Sequence, residues 1–312
     1  MANFIRKGEW LEYHVSSTDQ GKTIEEVCKT KLQLSGRMIQ KLTRHRGIQI
    51  NGKKSYLAYP LKKGDRLQIK IFEREDYGVE PEPIPLEVLY EDDHVLVANK
   101  PAGISVHPTE KNQRGTLAHA IAFYYQTKGL QTKVRHIHRL DKDTTGAILI
   151  AKHSLAQSIL DKDLRERKIS REYLAIVSGI PEPKQGTIDE PIGRDRHHPT
   201  RRRVSKTGDR AVTHYQVLET MNNEAALVKL YLDTGRTHQI RVHMSYIGHP
   251  LFGDSLYGGP LKGIQRQALH AAKLIFFHPF TKEKVEVEAP MPEDMVQLLS
   301  LIQPMATHGR VK

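Results

Sequence analysis

The stretch RHIHRLDKDTTGAILIAK (135–152) crowds His136, His138, Arg139, Asp141, Lys142 and Asp143 directly ahead of an apolar run. Three chemistries fit such a cluster. His136 and His138 at i, i+2 would share one face of a strand, with Asp141 three residues on, near the H-x-H-x-D-H pattern of metallohydrolases. The Asp comes one residue late, however, and Lys142 stands where the next His should be, a cation that repels a divalent ion. His238 and His243, as later ligands, are five apart and would face opposite sides of a strand. A second reading is structural: Asp141, Asp143, Thr144 and Thr145 are turn and cap residues, and Asp143 is read as only closing the turn. In the third, Asp141 is a nucleophile or base in an Arg-rich pocket. A nearby guanidinium keeps a carboxylate ionised, and a desolvated anion is what attack on a sugar or base carbon requires. The local residues leave the second and third readings of Asp141 open.

The elements around this cluster must position it. LEVLYEDDHVLVANKPAGISVHP (86–108) reads as two short strands about an acidic turn, followed by a Pro-Ala-Gly turn and a His-Pro exit. GTLAHAIAFYYQ (115–126) and SLAQSILDKDLRERK (154–168) carry helical periodicity, while GAILIAK, REYLAIVSG, VTHYQVLE, AALVKLYLDT and VEVEAP read as strands. Strands outnumber helices and do not alternate strictly with them. The expected class is therefore α+β, with a mixed, largely antiparallel sheet flanked by helices, rather than a doubly wound fold. RDRHHPTRRRVSKTGDR (194–210) holds seven Lys/Arg against two Asp without helix or strand periodicity and reads as a basic surface loop.

Charge divides the chain. Residues 22–70 contain thirteen Lys/Arg and three acids, a net +10 of the chain's formal +12, whereas residues 73–93 hold nine acids and one Arg around a proline-punctuated step. This break predicts a small basic domain at 1–80 (core about 22–70), a large domain at 81–300 and a basic tail at 301–312. In the small domain Thr23 and Glu26 form a capping-box pattern ahead of one helix, and Ser35 can cap a second. The second helix would turn Met38, Ile39 and Leu42 inward and Arg37, Lys41 and Arg44 outward. IQINGKK then enters an Asn-Gly turn that carries Lys53, and KKGDRLQIKI is a further strand. One face of uniform sign suits phosphate, so RNA is the expected partner. The single Cys28 excludes an internal disulfide framework. The opening MANFIRKGEW has no signal-peptide pattern, and no run is long enough to span a membrane, so a cytoplasmic protein is expected, with no obligate protein partner evident.

Two resemblances add to this reading. LSGR (34–37), INGK (50–53) and the KKGD step (62–65) resemble the S4 RNA-binding domain, with Gly36 where that family often has Arg or Lys. GISVHP, HRLDKDTTGAILIAK, REYLAIVSG and LDTGRTHQIRVHM, in this order over about 86–290, resemble the motifs of the RluA family of RNA pseudouridine synthases, with Thr145 where Ser is frequent. The resemblance implies a pseudouridine synthase fold and isomerisation of specific uridines in ribosomal RNA, transfer RNA or both, and the S4-like domain in front tilts the expectation towards large-subunit ribosomal RNA. It implies Asp141 as the catalytic aspartate, Tyr173 as the active-site tyrosine and Arg241 as the basic partner of the aspartate. Arg139 would fill the space of the extruded nucleotide, His138 would hold the loop or touch backbone, and Arg236 would contact phosphate or scaffold. Arg201, Arg202 and Arg203 of the basic loop complete the expected RNA contacts. Reactant and product are isomers, so no cofactor and no metal is expected. The competing classes are a metal-dependent RNA hydrolase and a non-catalytic RNA-binding protein.

Overall fold

The computed structural model describes residues 4–302. A five-stranded sheet is built from Phe4–Lys7, Trp10–His14, Arg66–Lys70, Ile48–Ile50 and Lys53–Lys54, in that spatial order. Its first two strands lie ahead of the expected core at 22–70. Thr23 and Glu26 close the capping box that starts the helix Ile24–Thr30. Ser35 accepts from the Met38 N–H at the start of Gly36–Arg44. Asn51 and Gly52, with φ of 50° and 79°, make the tight turn between the strands of the INGK segment. Ile39 and Leu42 are buried and Met38 partly so, while Arg37, Lys41, Arg44 and Lys53 are exposed.

The second sheet has ten strands. Its main path runs Gln185–Asp189, Val212–Met221, Ala225–Leu232, Ser170–Ser178, Leu269–Phe277, Thr145–Ala151, Val95–Lys100, Glu87–Glu91, with Lys284–Glu288 and Arg135–His136 branching off. Its pairings are antiparallel except where Thr145–Ala151 meets Leu269–Phe277, so the sheet is mixed and largely antiparallel as expected. Leu269–Phe277, which no sequence pattern had singled out, is central to it.

Period-two alternation assigns the two faces. In Val95–Lys100, Val95 and Val97 point to one core and Leu96 and Ala98 to the other; in Thr145–Ala151, Ala147, Leu149 and Ala151 oppose Ile148 and Ile150. The first face packs on the helix Ser154–Arg165 and runs into the core of the small sheet. The second is covered by the helices Leu117–Thr127 and Gln239–Tyr246, and it also receives Leu140, Tyr173 and Ile240. Burial on both faces explains why GAILIAK reads as a continuous apolar run. The small sheet is joined to the large one by more than the shared core: the rings of Phe4 and Phe280 meet edge to face at 5.8 Å, and Arg6 pairs with Asp93 at 2.7 Å.

Two segments differ from their sequence reading. Residues 192–194 and 202–204 pair as short antiparallel strands, Ile192–Arg194 and Arg202–Val204, the second of them within the stretch 194–210 expected to be a loop. Three-residue strands are too short to display alternation. HQIRVHM, weighed above only as though it lay on a strand, forms the helix Gln239–Tyr246. Residues 239–244 are all buried, so no polar stripe marks the helical period. Of the expected tail at 301–312, Leu301 and Ile302 end the helix Glu293–Ile302, and the rest lies outside the described residues. Among the described residues no helix is long and apolar enough to cross a membrane.

The parallel crossing fixes the loop that carries Asp141. Gly146 has φ of 115°, and a Cβ there would lie 2.3 Å from the Ala271 carbonyl oxygen. Backbone contact and backbone conformation both require glycine. Gly146→Ala is expected to lower stability by about 3 kcal/mol, measured by urea unfolding; a change under about 1 kcal/mol would show that this crossing yields easily.

Candidate active site

Asp141 sits in the loop between Arg135–His136 and Thr145–Ala151, at a cavity of about 410 Å³ that Arg139, Arg171, Tyr173, Arg236, His238 and Arg241 help to line. The Thr144 N–H donates to the Asp141 carbonyl at 3.1 Å and tightens the turn. Lys100 holds the same turn from below. Its fully buried ammonium donates to the carbonyl oxygens of Pro101, Ile104 and Lys142 at 2.7–2.8 Å, tying the 101–104 loop to the residue next to Asp141. Burial pulls the Lys100 pKa down to about 7, against the opposing charges of Asp143 and Asp141.

Arg241 is the pivot. It lies on the helix Gln239–Tyr246 with its side chain 9% exposed. Its Nε and Nη2 donate to the two carboxylate oxygens of Asp254 at 2.7 and 2.9 Å, and its Nη1 reaches Asp141 Oδ2 at 3.3 Å. Burial disfavours the Arg241 charge, but the hydrogen bonds and charge of Asp254, with Asp141 behind them, outweigh it and raise its pKa. The bidentate grip on Asp254 leaves the guanidinium one orientation, and in that orientation the remaining nitrogen faces Asp141. The Tyr257 ring covers the guanidinium carbon at 5.0 Å.

His238 also flanks the carboxylate, with Nε2 4.0 Å from Asp141 Oδ2. It precedes the helix in the left-handed region, at φ 58°, which swings its ring over the cavity. The Tyr257 hydroxyl accepts from the Arg202 N–H at 2.9 Å and meets His238 Nδ1 at 2.9 Å. A phenol that accepts from Arg202 has its proton to give to Nδ1, so the proton of neutral His238 is assigned to Nε2, toward Asp141. Burial lowers the His238 pKa, with the Asp141 charge opposing.

Tyr173 lies on Ser170–Ser178, 4% exposed, where the register against Leu269–Phe277 shifts between Glu172 and Tyr173. Such a bulge re-aims a side chain, here toward the cavity. Burial raises the Tyr173 pKa, so its hydroxyl keeps its proton at neutral pH. The segment TGR (234–236) is locked by Gln239, whose Oε1 accepts from Thr234 Oγ1 and the Arg236 N–H while its Nε2 donates to the Val212 carbonyl.

The fold thus brings Asp141, Tyr173, Arg241, Arg139 and Arg236 to one cavity. Arg139 is exposed at its edge, with its guanidinium on the Thr237 hydroxyl, and the Arg236 Nε donates to the Arg210 carbonyl at 3.1 Å. His138 also borders the cavity but is 6% exposed, and its Nε2 accepts from the Leu149 N–H at 3.2 Å. That contact ties it to the strand Thr145–Ala151. Burial lowers its pKa to about 3. Arg201, Arg202 and Arg203 stand on the neighbouring hairpin, whereas Arg37, Lys41, Arg44 and Lys53 belong to the small sheet and its helices. The imidazoles weighed as metal ligands are otherwise engaged. His136 stacks on His107 at 4.5 Å, and His243 bonds Thr213 Oγ1 and the Glu190 carbonyl. Among the described residues no three His, Cys, Asp or Glu side chains gather as a metal site requires. Sequence reading missed Lys100, Asp254 and Tyr257 and met His238 only as a metal candidate. Asp254 and Tyr257 carried one signal, the polar-and-glycine run GDSLYGG (253–259) between apolar segments.

Comparison with known proteins meets this geometry. Residues 94–246 match the family model described as RNA pseudouridylate synthase, and residues 11–67 match the N-terminal domain of RluD ribosomal pseudouridine synthase. The chain is 50% identical to the uncharacterized RNA pseudouridine synthase YhcT of Bacillus subtilis, over 94% of this chain and 97% of that one. It is 43% identical to ribosomal large subunit pseudouridine synthase D of Haemophilus influenzae, over 77% and 78%. Among solved structures, human RNA pseudouridylate synthase domain containing 4 aligns with a TM-score of 0.57 at 27% identity, over 69% of this chain and 92% of that one. Near-complete coverage at half identity, with motifs that converge on one cavity, makes this chain a member of the RluA family of RNA pseudouridine synthases, and so an enzyme.

Proposed function

We propose that this enzyme converts specific uridines of large-subunit ribosomal RNA to pseudouridine in the cytoplasm, with Asp141 as the catalytic carboxylate. The carrying observation is the Arg241 fork, which grips buried Asp254 and presents its last nitrogen to Asp141 at the cavity mouth. Ribosomal RNA is favoured by the relatives named for the large ribosomal subunit. The reaction breaks the N1–C1′ bond, turns the uracil and joins it through C5. Attack on C1′ and removal of the C2′ proton both begin at an Asp141 oxygen, and the same placement serves either. Tyr173 supplies a ring against which uracil stacks and a protonated hydroxyl for proton transfer. His238, with Nε2–H facing the same carboxylate oxygen that Arg241 meets, orients it together with Arg241.

The target nucleotide must leave its stack to reach this cavity, and exposed Arg139 is placed to fill the vacancy. Residues 1–80 act as an RNA-binding domain of the S4 kind in front of a catalytic domain at 81–300. Arg37, Lys41, Arg44 and Lys53 meet phosphate on the small domain; Arg236 and Arg201, Arg202 and Arg203 do so on the large one.

Four outcomes test this reading. In cells lacking the gene, a pseudouridine absent from large-subunit RNA should return with the wild-type gene and not with Asp141→Asn. The purified variant should bind RNA normally and lose about 10³-fold or more in rate; conversion at the wild-type rate would end the assignment. Asp254→Asn should lower kcat about 10²-fold with little change in KM, because it frees Arg241 to turn from Asp141. A pure rise in KM would place Asp254 in RNA binding instead. Neutralising Arg37, Lys41 and Arg44 together as Gln should raise the RNA concentration for half-maximal rate about tenfold at unchanged saturated rate. Unaltered affinity would remove the small domain from RNA recognition. Truncation is a poorer test, because the small sheet shares its core with the large one.

A further inference from the structure

Beside the catalytic cavity lies a second one of about 470 Å³, separated from it by Arg139, Gly235, Arg236 and Thr237, which line both. Its other walls come from the hairpin Ile192–Arg194/Arg202–Val204 and from Thr207–Asp209. Four guanidinium-bearing residues, Arg139, Arg194, Arg202 and Arg236, surround it against one carboxylate, Asp209. That carboxylate is 3.7 Å from Arg236 and 74% exposed, free to turn into solvent. Among the described residues Arg194 and Arg202 pair with no acid. The Arg202 Nε is sealed from solvent with no hydrogen-bond partner, a costly state for a charged donor.

The cavity is built, not incidental. Gly208 rests directly on backbone: a Cβ there would lie 2.4 Å from the Ile192 carbonyl carbon and 2.7 Å from the Gly193 nitrogen. The Asp209 N–H donates to the Ile192 carbonyl and the Ile192 N–H to the Asp209 carbonyl, at 3.0 and 2.9 Å, which closes the floor. The Arg202 N–H is fastened to the Tyr257 hydroxyl, the same atom that meets His238. The hairpin is thus fixed to the residues around Asp141.

We propose that this cup holds one backbone phosphate of the RNA, that of the nucleotide entering the catalytic cavity or of its immediate neighbour. This rests on the reading of RNA as substrate and adds a discrete anion site to it. Arg194 and Arg202 grip the phosphate oxygens, and the wall shared with the catalytic cavity sets the distance from that phosphate to Asp141. A seated phosphate fixes where the ribose C1′ falls and carries no sequence information. The cup therefore positions any target uridine alike, while choice among uridines is made elsewhere.

The test separates a shared phosphate from scattered surface charge. RNA affinity is measured over a range of salt with an unmodified transcript of large-subunit ribosomal RNA, for wild type, Arg194→Gln, Arg202→Gln, the double variant and Arg202→Lys. One phosphate that both arginines are needed to seat accounts for one set of released counterions, lost when either is removed. Each single variant and the double should therefore lower the log–log salt slope by the same amount, about 0.7, and Arg202→Lys, which keeps the charge, should retain the wild-type slope. Slopes that do not move, a double variant that loses twice the single, or an Arg202→Lys that behaves like Arg202→Gln would each overturn the cup. Pseudouridine formation is scored on the same transcript. A wild type that binds but converts nothing would remove the proposed substrate, while the slopes would still decide the anion site.

Discussion

A guanidinium taken out of water must have its charge compensated where it lies, and the arrangement around Asp141 follows from how Arg241 meets that demand. Two of its nitrogens go to Asp254, which is itself almost wholly buried, and the third goes to Asp141. A planar fork held at one end has little freedom at the other. The helix Gln239–Tyr246 and the Asp254 turn thereby set where a carboxylate from a distant loop must sit, 100 residues earlier in the chain than its Arg partner.

The remaining supports bring that loop to the fork. Gly146 lets two strand backbones approach, Lys100 gathers three loop carbonyls beneath the Asp141 turn, and Tyr257 joins the hairpin at 202 to His238. Each satisfies a buried polar group or removes a steric conflict, and each does so by contact with chain remote in sequence. The Asp141 pocket and the neighbouring cup accordingly share one wall, which Arg139 and Arg236 help to form.

Local chemistry was readable where its cause is local. The capping box at Thr23 and Glu26, the Ser35 cap, the Asn51–Gly52 turn and the two strands about the acidic turn after Glu91 are consequences of spacing over a few residues, and they stand as read. The helix Gln239–Tyr246 was not readable as one, because burial of the six successive residues 239–244 erases the period that marks an amphipathic helix. The strand pair at 192–204 was hidden by brevity and charge. The strand Leu269–Phe277 went unnamed, although its side chains supply much of the central sheet.

Composition and ordered motifs by themselves determined that this chain is α+β, basic at its front, and carries Asp141, Tyr173 and Arg241 in the pattern of a pseudouridine synthase. Those properties reside in residue type and spacing along the chain. Only the tertiary structure decided that Asp254 completes the Arg241 fork, that His238 flanks the Asp141 carboxylate, that Lys100 underpins the Asp141 turn, and that the small sheet shares a core with the large one. These are relations between segments tens to more than a hundred residues apart. They arise because buried charge and buried polar groups must find partners in space, a demand that leaves no periodic trace in sequence.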